Sequence, residues 1–151
     1  MKLSANFQLS ELVKSQTAER KGLSNNPSPT HIDNLKALCV NVLQPIRSHF
    51  DSPVIISSGY RSAELCIEIG SSIHSQHTEG KAADLEVVGV DNKELATWIK
   101  NNLEFDQMIL EFYRDGEPDS GWIHVSWNGS ENRNQTLRAL KIENKTVYKP
   151  W

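Results

Sequence analysis

The sequence predicts a small α+β domain in which N-terminal helices pack on a mostly antiparallel sheet. Three observations carry that expectation. Apolar residues recur at helical spacing in the first third of the chain, β-branched runs with strand-like alternation fill most of the rest, and one amphipathic segment interrupts them. At 151 residues the chain reads as one domain, long enough to bury a core without disulfides.

The elements follow in order. Ser10 is a candidate N-cap for a short helix through Leu12 and Val13, with Glu11 favourable in its first turn. The segment LSNNPSPT (23–30) is turn-rich, and Thr30 is placed to cap the next helix. There Ile32, Leu35, Cys39, Val42 and Ile46 form one apolar stripe. Pro45 falls inside that pattern and predicts a kink or an early end. PVIISS (53–58) reads as a strand followed by the turn GYRS, and AADLEVV (82–88) as a second strand. Asp91 and Glu94 fit a capping box for NKELATWIKNN, with Leu95, Trp98 and Ile99 facing inward. DQMILEF (106–112) and WIHVSW (122–127) are two further strands, and RALKIENKTVYKPW (138–151) a hairpin or an edge strand with a tail.

Composition narrows the functions. A net charge of −3 with no basic block argues against nucleic acid or an anionic membrane as the main partner. No apolar run is long enough for a signal peptide or a bilayer span, so the expectation is synthesis in a cytoplasm and delivery by other means. Cys39 and Cys66 belong to no CxxC pair and read as free thiols, a single bridge between them remaining open.

The segment SSIHSQHTEGKAADLE (71–86) carries the chemistry. A catalytic zinc takes three ligands from His, Asp and Glu and keeps one position for water. His77 lies in the loop before a strand, Asp84 on that strand, and His124 within WIHVSW. Gly80, between His77 and Asp84, lets the chain fold back so that both side chains reach one point. Strand parity puts Ala82, Asp84 and Glu86 on one face, and Trp122, His124 and Ser126 on one face of theirs. Taken singly, His77 reads as a solvated loop histidine and His124 as a hydrogen-bonded structural one.

The pattern Ser75-x-His77-x-x-Gly80-x-Ala82-x-Asp84 resembles the SxHxxGxAxD signature of the zinc D-Ala-D-Ala carboxypeptidase family, which includes VanX-type dipeptidases and phage endolysins. FQLSELVKS, PIR (45–47), SSGYRS (57–62) and WIHVS (122–126) fall in the order of its small phage and bacterial branch. The resemblance implies a DD-peptidase-like fold, also that of Hedgehog domains. It implies that His77, Asp84 and His124 bind Zn2+ and that Arg61 points into the cleft. There Arg61 would hold a substrate carboxylate or an oxyanion, or else tie its turn to the body by a salt bridge. Ser75 would bond the substrate backbone, or simply stabilise its turn.

Two departures stand out. VanX-type enzymes carry the general base as a glutamate three residues before the last histidine, where this chain has Gly121. Glu111, the only acid in MILEFY, is the first candidate to replace it, with a solvent-facing or Arg61-paired acid as the alternative; Asp119 is the second. Cys66 stands where asparagine is expected after GYRS, as a packing substitute or an unwanted fourth ligand. His74 lies outside the signature and is expected to be exposed. The implied function is zinc-dependent hydrolysis of bacterial peptidoglycan stem peptides, as a D,D-carboxypeptidase or an endolysin-type endopeptidase, by a monomer. The rival is a zinc-containing, non-catalytic wall-binding or structural module of a phage particle.

Overall fold

The computed structural model describes residues 1–151. A short antiparallel pair, β1 (Lys2–Ser4) and β2 (Phe7–Gln8), leads into α1 (Leu9–Val13) and α2 (Gln16–Lys21). Then follow α3 (Pro29–Leu38), a π-helical turn (Cys39–Leu43) and α4 (Gln44–Phe50). Next are β3 (Val54–Ser58), α5 (Ala63–Ile69), a 3-10 turn (Gln76–Glu79) and β4 (Ala82–Val87). The chain ends with α6 (Asn92–Asn102), β5 (Gln107–Glu111), β6 (Trp122–Ser126), β7 (Gln135–Ile142) and β8 (Lys145–Pro150).

The helix starts differ from expectation for local reasons. Ser10 lies inside α1; the cap position is Gln8, whose backbone N–H donates to Glu11 Oε2 at 2.7 Å. Ser28, not Thr30, caps α3 by accepting from the His31 N–H at 3.2 Å. Pro29 then takes the first helical position, where its missing N–H costs nothing. Asp91 caps α6 through the Lys93 N–H, but Glu94 closes no box, and the second Asp91 oxygen accepts from the Tyr113 hydroxyl at 3.1 Å. Pro45 neither ends nor breaks its helix. The wide turn before it, in which the Gln44 N–H reaches back five residues to Cys39, absorbs the lost donor, and the chain stays helical to Phe50.

The main sheet runs β3-β4-β6-β5-β7-β8, antiparallel throughout except for the parallel pair β5–β7. One face packs on the helices. Ala83, Leu85 and Val87 of β4 and Ile123 and Val125 of β6 join Leu35, Leu38, Val42, Ile46, Leu95 and Ile99 in a single core. The alternate residues of the same strands face away from it. Asp84 of β4 stands directly opposite His124 of β6, and His124 in turn stands opposite Ile109 of β5, two residues before Glu111.

The β1–β2 pair, α2 and α5 have no counterpart in the sequence reading. In α5, Ser62 accepts from the Leu65 N–H at 3.1 Å and Gly70 closes the other end in the left-handed region. Cys39 and Cys66 are both buried free thiols. Burial pushes the Cys39 thiol up to about 12, so it stays protonated and inert. No helix is long and apolar enough to cross a membrane.

Candidate metal centre

His77 is held by a loop built for the purpose. Ser75 Oγ accepts from the His77 N–H at 3.2 Å and so opens the 3-10 turn. Gly80 closes it at φ +73°, where an added Cβ would lie 2.6 Å from the His31 carbonyl oxygen. The His77 side chain is buried, its Nδ1 2.7 Å from the Gly59 carbonyl oxygen. A carbonyl only accepts, so Nδ1 carries a hydrogen and Nε2 points the other way. Nε2 lies 3.4 Å from Asp84 Oδ1, and His124 Nδ1 lies 3.1 Å from that same oxygen. The three ligand atoms are all within 4.8 Å of one another.

This donor set fits a zinc ion. Ligands 2.0–2.1 Å from a tetrahedral centre stand roughly 3.3 Å apart, close to both Asp84 separations. The proton inventory agrees. With Nδ1 committed as a donor, His77 Nε2 meets the carboxylate either as an imidazolium N–H or as a lone pair sharing a cation with it. Burial pushes His77 towards its neutral form, whose Nε2 lone pair is free to bind a cation beside the carboxylate. Burial also pulls the Asp84 carboxyl upward, but hydrogen bonding, that of the His124 ring first, outweighs it and holds the group below the ordinary carboxylate range.

Arg61 supports this cluster through all three of its guanidinium nitrogens. Its Nη2 lies 3.2 Å from Asp84 Oδ2, its Nε donates to Ser58 Oγ at 2.8 Å, and its Nη1 donates to Ser71 Oγ at 3.1 Å. It lines the cleft as expected and is paired internally through one N–H on each nitrogen, the second N–H of Nη1 and of Nη2 having no protein partner. Ser75 likewise lines the cleft while its hydroxyl serves the turn.

Glu111 ends β5 on the face that carries His124, and both line a cleft of about 410 Å³ with Arg61, His77 and Asp84. Burial, followed by the negative charge of Asp84, raises the Glu111 carboxyl above its ordinary range. Gly121 explains why the glutamate expected there is absent. Its φ is +64°, and a Cβ on it would fall 1.9 Å from the Glu111 carbonyl oxygen. The backbone that would carry the usual base is therefore packed against the backbone that presents Glu111.

Asp119 is not in the cleft. It is exposed, beside a separate hollow with Arg114, Glu117 and Ser120. Cys66 is fully buried in α5 and is not part of the metal cluster. His74 is exposed at the cleft edge. Sequence reasoning missed Arg133 and Tyr148, which also line the cleft. Alternation along the C-terminal hairpin could have suggested Tyr148; nothing local signals Arg133.

A comparison with curated proteins finds no match. The family model described as Peptidase M15 matches residues 5–126, a span that takes in His77, Asp84, Glu111 and His124. With most of its length covered, the chain belongs to the Peptidase M15 family of zinc-dependent metallopeptidases.

Proposed function

We propose that the protein hydrolyses peptide bonds in bacterial peptidoglycan stem peptides, with His77, Asp84 and His124 holding Zn2+ and Glu111 as general base. The observation that carries this reading is the convergence of the His–Asp–His cluster and one carboxylate on a single cleft. When bound, zinc supplies a Lewis acid that polarises the scissile carbonyl and makes water acidic enough to attack near neutral pH.

The chain's own residues do the rest. A Glu111 carboxylate oxygen takes the proton of the attacking water and passes it to the leaving amine nitrogen. Its raised affinity for protons suits that two-way role. The Gly59 carbonyl fixes the His77 tautomer and ring plane, and Arg61, by pairing with Oδ2, leaves Asp84 Oδ1 for the cluster. Arg61 is thus a positioning residue.

The glutamate missing at Gly121 is the feature that favours a non-catalytic wall-binding module. Glu111, facing the cluster from the neighbouring strand, supports the enzymatic reading instead. Within the enzymatic reading, the chain acts as a D,D-carboxypeptidase or an endolysin-type endopeptidase, reaching the wall by lysis or in a particle. Incubation of the zinc-loaded protein with purified peptidoglycan, followed by mass spectrometry of the muropeptides, tests this. New amines and shortened stems are expected. Bound zinc with no product would overturn the reading in favour of the binding module, and the products would identify the bond cut.

A further inference from the structure

Beyond the metal and the base, the cleft has a wall that the family-matched residues do not supply. It comes from the segment after residue 126, through Arg133 in the β6–β7 connection and Tyr148 on β8. We propose that Arg133 and Tyr148 form a subsite that binds a carboxylate of the peptide substrate beside the metal cluster, an inference that rests on the peptidase reading above.

A peptide carrying a carboxylate near its scissile bond needs a positioned, accessible donor, and Arg61 bonds Asp84, Ser58 and Ser71 through its three nitrogens with a side chain only 16% exposed. Arg133 is differently placed. Its Nε and Nη2 grip the two oxygens of Asp106 at 3.0 and 2.9 Å, and its backbone N–H donates to Oδ1 at 3.1 Å. Asp106 is buried, and Gln76, next to His77, donates to its Oδ2 at 2.9 Å. The guanidinium is therefore rigidly mounted, yet its side chain is 55% exposed and its Nη1 has no protein partner. A planar guanidinium fixed along one edge offers its remaining N–H groups at little further entropic cost.

Tyr148 arrives by sheet register. Glu111 of β5 lies opposite Ala139 of β7, and Ala139 opposite Tyr148 of β8. The small Ala139 side chain leaves the ring room to reach the cleft that Glu111 lines. The Tyr148 hydroxyl has no protein partner and the residue is 53% exposed. Partial burial, followed by the charge of Glu111, raises its phenol above the ordinary range, so it remains a donor. Arg133, anchored on Asp106 just before β5, and Tyr148, level with Glu111 at the end of β5, bring free donors to the cleft from its two ends, which suits an anionic acceptor lying between them.

Two carboxylates of a stem peptide fit this chemistry, the C-terminal one and the one on D-glutamate. The test is calorimetric titration of the Glu111→Gln protein, zinc-loaded and zinc-free, with three peptides. These are L-Ala-γ-D-Glu-L-Lys-D-Ala-D-Ala, its C-terminal amide, and its D-glutamine analogue. One replacement is expected to weaken binding roughly ten-fold or more, which identifies the carboxylate held. In the double variants, Arg133→Lys keeps charge and solubility but loses the fork, and Tyr148→Phe keeps the ring. Both should abolish that discrimination while binding the neutralised peptide as the parent does. Equal binding of all three peptides, no binding of any, or discrimination unchanged in both variants would overturn the subsite. Discrimination without hydrolysis by the unmutated chain would retain the subsite and overturn the peptidase reading.

Discussion

Gly121→Ala tests the packing that brings Glu111 to the cleft. The added methyl carbon would lie 1.9 Å from the Glu111 carbonyl oxygen and 2.8 Å from both Phe112 C and Tyr113 N. All three are backbone atoms, so no rotamer change relieves the contact, and the two segments must part by about 1 Å to reach the shortest tolerable separation. Alanine at φ +64° adds about 1–2 kcal/mol of left-handed strain. Together with an overpacking cost of about 1–3 kcal/mol, a loss of about 2–5 kcal/mol is expected in urea unfolding. A base displaced by about 1 Å should also lose on the order of 100-fold in turnover, while zinc content stays at the parent level. His77 and Asp84 stand on the 3-10 turn and β4, away from this contact, and His124 lies within β6, held there by its pairing with both β4 and β5. A Gly121→Ala protein of unchanged stability and turnover would refute the reasoning.

His77→Ala should remove stoichiometric zinc by elemental analysis and leave far-ultraviolet circular dichroism unchanged, because the ring lies outside the main core. Arg61→Ala should weaken zinc affinity about 10–100-fold in a competitive chelator titration, since Asp84 loses the partner that orients it; unchanged affinity would make Arg61 merely a surface tie. Asp106 is held below its ordinary carboxyl range chiefly by the Arg133 hydrogen bonds. Its stabilising contribution is therefore complete above the unfolded value near 3.8 and is lost as pH falls below that towards the depressed folded value. Asp106→Asn should be less stable at neutral pH and show a shallower stability loss in that acidic window, measured by thermal unfolding at stepped pH.

Much of the site was legible because strand parity is a local rule. Alternation in AADLEV and WIHVS separates Asp84 and His124 from the core-facing Leu85 and Val125, and the same rule sets Glu111 apart from Leu110. The family signature then linked His77 to them across a loop that periodicity cannot read. What stayed hidden depends on contacts distant in sequence. Gly121 is explained only by the Glu111 backbone against it, and the pairing of Arg61 with Asp84 joins residues 23 positions apart. Arg133 reaches the cleft because Asp106, 27 positions earlier, holds it there. The helix caps erred locally, by taking Ser10 and Thr30 where Gln8 and Ser28 serve. Pro45 misled because a π-helical turn just before it accommodates the missing donor.

The central claim is that the His77–Asp84–His124 cluster and Glu111 form one hydrolytic centre. The measurement that tests it most directly is the rate of amine release from purified peptidoglycan by the parent, Glu111→Gln and Asp119→Asn proteins, each at equal zinc occupancy. The account predicts that Glu111→Gln falls by a factor on the order of 100 or more, and that Asp119→Asn, altered only at an exposed loop, keeps the parent rate. A fully active Glu111→Gln protein beside a dead Asp119→Asn protein would contradict it.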